Sequence, residues 1–277
     1  MGSYLRPTEL GQALEALGEG PRTIVAGGTD HYPARVGRQL DESILDISAL
    51  KELRGIADTR KQVRIGALTT WSDLVRAPLP AWFDGLKQAA REVGGLQVQN
   101  TGTLCGNVCN ASPAADGVPN LLALDARVEL SARDRVRELP LSEFITGNRR
   151  TQRGHDELVT ALILPKLGKG ARSTFLKLGA RKYMVISIVM VAGVLIPGRG
   201  GKIADLRIAV GACSEVAQRL SALEADLTGR PMAAALAKPE HLAPLGPIDD
   251  VRGTAAYRRD AALTLVRRAL ARLMMAP

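Results

Sequence analysis

A chain of 277 residues with 46% hydrophobic and 3% aromatic content is long enough for one large domain or two ordinary ones with real cores. The formal charge of +9 invites a nucleic-acid reading, but Lys and Arg are scattered and nowhere interleaved with stacking aromatics, so that class is set aside. Three cysteines make no disulfide framework, the first residues carry no apolar leader core, and no apolar run reaches membrane-spanning length, so the expectation is a cytoplasmic protein without a membrane span.

In chain order, Pro7-Thr8-Glu9-Leu10 opens a predicted helix with Thr8 as its cap and Leu10, Ala13, Leu14 and Leu17 on one face. Gly18-Glu19-Gly20-Pro21 ends it, and Thr23–Ala26 reads as a strand that breaks into Gly27-Gly28-Thr29-Asp30-His31. Short strands are predicted over 44–47 and 63–67, a small helix from Thr70-Trp71, and a helix over 86–93 stopped by Gly94-Gly95. Next comes Thr101 to Asp116, rich in Gly, Asn, Ser and Thr, then a helix at 120–124, a hairpin of 126–131 with 135–139, and a strand at 158–164. Leu167-Gly168-Lys169-Gly170 suits an exposed linker and divides the chain into domains 1–166 and 171–277. Strands at 174–180, 185–196 and 203–212 follow, with helices at 216–227 and 255–275; the Ala- and Pro-rich 231–250 is uninformative.

Two glycine-bearing stretches carry the chemistry. Small residues let the backbone approach a ligand, and Gly permits the turns that aim several N–H groups at one point, a device suited to phosphates. Gly198-Arg199-Gly200-Gly201-Lys202 is a hairpin turn and not a nucleotide P-loop, since no Ser or Thr follows the Lys and Ile203 opens a strand. Cys105 and Cys109 lack the further ligands that a zinc or iron–sulfur site needs, so all three cysteines are read as small buried residues. His155 and His241 are read as surface residues, and no hydrolase triad assembles.

Ala26-Gly27-Gly28-Thr29-Asp30 and Thr103-Leu104-Cys105-Gly106-Asn107, followed by Ala111-Ser112-Pro113-Ala114-Ala115-Asp116, resemble the two flavin-binding loops of the FAD (medium) subunit of the molybdenum hydroxylases, the xanthine dehydrogenase and carbon monoxide dehydrogenase family. The resemblance runs nearly end to end. It implies an α+β chain: a two-lobed FAD-binding domain of the vanillyl-alcohol-oxidase/PCMH type, then a smaller C-terminal domain of antiparallel sheet plus helices. It also implies that the backbone of Ile24, Val25, Ala26, Gly27, Gly28, Thr29, Asp30 and His31, and of Thr103, Leu104, Cys105, Gly106 and Asn107, wraps the FAD diphosphate. Asp116 would lie beside the cofactor, Val93 would border the isoalloxazine, Val159 would touch the flavin through its backbone, Lys177 would sit near the pyrimidine end, and Tyr183 against the ring.

Two departures stand out. Cys105 takes the place of the first of two adjacent glycines, which demands a negative φ or a wider approach to phosphate, and Gln99 and Thr101 stand where relatives often have Arg. The implied function is electron transfer: 2Fe–2S clusters on a small partner reduce FAD on this chain, which passes electrons to an external acceptor, while a molybdopterin on a large partner oxidises substrate in a dimer of heterotrimers. The competing readings are a self-contained FAD-dependent oxidase of a small molecule, and a nucleotide-binding scaffold without activity.

Overall fold

The structure is a computed structural model that describes residues 2–37 and 41–275. The first lobe is a three-stranded parallel sheet, β1 (Tyr4–Leu5), β3 (Ile44–Asp46) and β2 (Thr23–Val25) in that spatial order, with α1 (Leu10–Gly18) in the connection from β1 to β2. Ala13, Leu14, Ala16 and Leu17 are the buried face of α1. Thr8 does not cap it: Glu9 holds the N-cap position without a side-chain bond, and the Thr8 N–H donates to Gln12 Oε1 at 3.3 Å.

The second lobe is a five-stranded antiparallel sheet in the order β4 (Ile56–Asp58), β5 (Gln62–Gly66), β10 (Leu158–Pro165), β6 (Arg127–Ser131), β7 (Val136–Pro140). The central strand is buried from Leu158 to Leu164, as its unbroken apolar run requires. Its register against β6 slips between Val159 and Ala161, and the Thr160 carbonyl accepts from Ala67 N at 2.9 Å instead. Five short helices complete the domain's body: α2 (Trp71–Arg76), α3 (Asp84–Glu92), α4 (Leu96–Thr101), α5 (Leu104–Asn110) and α6 (Gly117–Ala123). Thr70 and Asp73 close a reciprocal capping box on α2, at 3.1 and 3.0 Å. After β7, α7 (Leu141–Phe144) leads into a small hairpin of β8 (Ile145–Gly147) and β9 (Arg150–Thr151).

Beyond Gly170 a second hydrophobic core forms between an antiparallel sheet, β11 (Arg172–Leu178), β12 (Val189–Pro197), β13 (Ile203–Gly211) and β14 (Gln218–Arg219), and the helices α8 (Ser221–Leu227) and α9 (Ala255–Met274). Two sequence expectations need correction. The span 216–227 is not one helix: Gln218 and Arg219 pair with Val210 and Ala209 to complete the edge of β13, and the helix begins only after Leu220. The strand expected from 185 begins at Val189, because Arg181 folds the preceding segment back by donating to Tyr183 O (3.0 Å) and Met184 O (2.6 Å). The 198–202 stretch is a turn leading into β13, as read from the sequence.

Polar ties bind the two cores. Asp125, at φ +50°, receives Arg207 Nη1 and Arg219 Nη1, each at 2.8 Å. Ser173 Oγ accepts from Gly85 N at 2.7 Å, and Gln88 Oε1 accepts from Phe175 N at 2.8 Å. Among the described residues no helix is long and apolar enough to cross a membrane.

Among the described residues the most deeply buried Lys or Arg is Arg258 on α9, 3% exposed, which donates to Ile188 O (2.7 Å), Ala212 O (2.9 Å) and Asp250 Oδ1 (2.7 Å). Arg258→Ala strips two buried carbonyls and a carboxylate of their donor. It should lower unfolding free energy by about 3 kcal/mol in urea titration. A loss below about 1 kcal/mol would show that water replaces the guanidinium freely.

Candidate functional site

A cleft of about 970 Å³ opens between the two lobes, and both glycine-bearing stretches line it. In the first, the chain leaves β2 and runs through Ala26 to His31 before it turns at Pro33. No backbone N–H from Ala26 through His31 finds an acceptor among the described residues. A row of unpaired donors facing a cleft is costly unless a ligand or water accepts from it. Gly28 lies at φ +64°, the left-handed region that favours glycine. Gly27 matters for a reason that the sequence did not suggest: a Cβ there would overlap the Thr101 carbonyl and reach Gly102 Cα at 3.0 Å. Its hydrogen lets the first loop touch the second.

The second stretch is a helix start rather than a loop. Thr103 caps α5, its hydroxyl accepting from Gly106 N at 3.0 Å, while Leu104 N reaches Thr69 O (3.1 Å) and Trp71 N reaches Gly102 O (3.2 Å). The Thr103 and Cys105 N–H groups have no acceptor among the described residues. Helical geometry gives Cys105 the negative φ that its Cβ needs, so this replacement of a glycine is accommodated without strain. Cys105, Gly106 and Asn107 line the cleft with Thr103, whereas Leu104 points into the core and is fully buried. Asn107 Oδ1 accepts from Gly117 N at 3.2 Å and fixes the start of α6. Val93, at the end of α3, and Val159, on β10, also line the cleft.

Two readings of single residues change. Cys109 is not buried: it is open to the cleft, although the surrounding walls desolvate its thiol enough to push it up to about 11. His241 is not on the surface: it is 6% exposed, and its Nδ1 accepts from Lys238 N at 3.1 Å. His155 is exposed, as read.

Asp116, Lys177 and Tyr183 lie outside the cleft lining. Lys177 Nζ sits 2.7 Å from Asp116 Oδ2, with side chains 5% and 8% exposed, and Ser187 Oγ donates to Asp116 Oδ1 at 2.6 Å. Burial pushes the Asp116 carboxyl above its usual range, against the pull of Lys177 and Ser187. The Lys177 charge is therefore matched by a carboxylate rather than offered free to a ligand. What this buried trio does is anchor Ser187, and with it Met184, Val185 and Ile186, which form one wall of the cleft. Tyr183 is 63% exposed on the same turn.

The sequence missed Arg149 and Arg153. Nothing local in Gly147-Asn148-Arg149-Arg150 shows that this turn faces the glycine loops. Both arginines line the cleft with Arg22 and Arg35, against a single lining carboxylate, Asp30. The His31 Nε2 atom is buried without a hydrogen-bond partner, its nearest carboxylate oxygen, on Glu42, at 3.7 Å. Desolvation first, then Arg35, hold this imidazole below its ordinary pKa against Glu42 and Asp30. Unpaired amides, an unsatisfied imidazole and a cationic wall fit a long dianionic ligand such as a dinucleotide diphosphate. Among the described residues no group of His, Cys, Asp and Glu could hold a metal ion.

Lys177→Met leaves Asp116 buried without its cation. It should lower unfolding free energy by about 3 kcal/mol, and the double variant Lys177→Met/Asp116→Asn should recover most of that loss. Additive losses in chemical denaturation would mean that the pair does not act as a unit.

Comparison with known proteins places these observations. Residues 1–167 match the model of the FAD binding domain in molybdopterin dehydrogenase, and residues 174–273 match that of the CO dehydrogenase flavoprotein C-terminal domain. The chain is 30% identical to the glyceraldehyde dehydrogenase medium chain of Sulfolobus acidocaldarius, over 96% of each chain, and 28% identical to the carbon monoxide dehydrogenase medium chain of Hydrogenophaga pseudoflava, over 96% of this chain and 95% of that one. It superposes with a TM-score of 0.89 on a solved carbon monoxide dehydrogenase from Hydrogenophaga pseudoflava that lacks the Mo-pyranopterin moiety of its molybdenum cofactor, at 28% identity, over 98% of this chain and 96% of that one. Free amides in two loops, a cationic cleft between two lobes and a separate antiparallel domain thus have their explanation: the chain belongs to the family of FAD-carrying subunits of the molybdopterin dehydrogenases.

Proposed function

We propose that this chain is an electron relay, with FAD lying in the cleft along the stretches 24–31 and 103–107 and its diphosphate held by those of their N–H groups that have no acceptor in the protein, Ala26–His31, Thr103 and Cys105. One observation carries this reading: two loops that meet across Gly27 and Thr101 both present backbone donors without acceptors to one cleft. FAD supplies the exchange between single electrons and electron pairs; the chain's own residues bind, orient and shield it. Val93 and Val159 give the ring apolar contacts, and Met184–Ile186 form the wall that Asp116, Lys177 and Ser187 hold from behind. Lys177 is assigned to support of that wall, because its charge is spent on Asp116.

Electrons reach the flavin from 2Fe–2S clusters of a small partner subunit, and substrate is oxidised at a molybdopterin on a large one, in a dimer of heterotrimers. Relatives bearing the names of medium chains support a multi-subunit assembly. Part of the excess positive charge then serves to steer docking.

Two outcomes follow. FAD should bind the purified chain about 100-fold more tightly than FMN in fluorescence titration, because FMN forgoes at least two charge-assisted hydrogen bonds of about 1.5 kcal/mol each. Gly27→Val should drive the loops apart and abolish that binding; a full complement of FAD in the variant would contradict the site. Second, aldehydes or purines should not bleach the flavin of the isolated chain free of molybdenum and iron. Substrate-dependent bleaching would instead identify a self-contained oxidase.

A further inference from the structure

Arg149 joins three separate pieces of the cleft rim. Its guanidinium donates to Asp30 Oδ2 at 2.7 Å, on the first glycine loop, and to Asn110 Oδ1, at the end of α5. These partners lie 119 and 39 residues away in sequence. Its backbone is held apart from this contact: Arg149 N donates to Ala111 O at 2.9 Å, with Arg149 itself at φ +58° in the turn between β8 and β9. Asp30, Asn110 and Arg149 all line the cleft. The Asp30 and Arg149 side chains are about half exposed, at 53% and 54%. An ion pair so open to water adds little to folding and can break and re-form without disturbing either core.

We propose that Arg149 is a latch on the cofactor cleft: it straps the first glycine loop to the end of α5 and must release Asp30 before a flavin dinucleotide can enter or leave. The inference rests on the reading that FAD occupies this cleft. It differs from assigning Arg149 as a phosphate ligand. A ligand contact exists only in the bound state, so its removal speeds dissociation and weakens affinity together. The latch, by contrast, is already closed in the empty protein, and its removal lowers the barrier in both directions. Asp30 separates the two cases further: a latch needs its carboxylate, whereas a phosphate-binding Arg149 would be freed by losing it.

The test is the rate of FAD association and dissociation with the full-length chain, measured by stopped-flow flavin fluorescence, for wild type, Arg149→Gln and Asp30→Ala. Gln keeps the unbranched Cβ–Cγ–Cδ stem and removes the charge, and the Asp30→Ala variant leaves the sequence of the β8–β9 turn unchanged. Both variants should bind and release FAD faster by about fivefold, the factor that corresponds to about 1 kcal/mol for an exposed charge pair, with the change in affinity that follows from the altered cleft charge smaller than the change in either rate. Raising the ionic strength should speed dissociation from the wild type more than from either variant, because only the wild type has this pair to screen. Faster release with a matching loss of affinity in Arg149→Gln, together with slower release in Asp30→Ala, would overturn the latch and make Arg149 a phosphate ligand. Unchanged rates in both variants would overturn it as well, while leaving FAD in the cleft. If Gly27→Val binds FAD like the wild type, the cleft itself is wrong and the latch falls with it.

Discussion

The site depends on one steric fact: the first loop can touch the second because residue 27 has no Cβ. A methyl group there would overlap the carbonyl of Thr101 and press on Gly102. That contact brings the loop after β2 of the parallel lobe against the chain that enters α5, while the two lobes share one hydrophobic core. Among the described residues the two loops make no backbone hydrogen bonds to each other, and amides of both are without acceptors. A cofactor with two phosphates satisfies donors from both sides at once, which couples its binding to the closeness of the lobes.

The second domain contributes to the cleft from a distance. Among the described residues it lines the cleft with Met184, Val185 and Ile186, on the turn between β11 and β12. Their position follows from the bonds that Lys177 and Ser187 send back to Asp116, at the foot of α6. Further ties at Asp125 and Ser173 hold the two cores in one arrangement. A buried ion pair is a poor source of net stability, but it is a specific one, since each partner is strongly penalised without the other. Here it fixes one wall of the cleft.

Much of this was legible in the chain itself. The apolar strand β10 and the helix α9 stand where the sequence put them, and β12 begins four residues later than expected. The two glycine stretches are enough to point to the family and its cofactor. The misses share a cause, which is that tertiary partners overrode local signals. Thr103 to Asn110 is poor in helix formers and reads as a loop, yet it is helical because Thr103 caps it and its first N–H is taken by Thr69. Gln218 and Arg219 look helical but satisfy the edge of β13. The carboxylate that pairs with Lys177 is 61 residues away, and the one that pairs with Arg149 is 119 residues away. Pairings at such separations leave no local trace in a single sequence.

The central claim is that unpaired backbone amides, rather than charged side chains, hold the cofactor. Amide hydrogen exchange followed by mass spectrometry, on the FAD-free and FAD-loaded chain, tests this directly. Binding should protect the amides of Ala26–His31 and of Thr103 and Cys105, which lack acceptors without the ligand. Amides already bonded within the sheets should change little. Protection concentrated elsewhere, with these two segments exchanging at the same rate whether or not FAD is bound, would contradict the account.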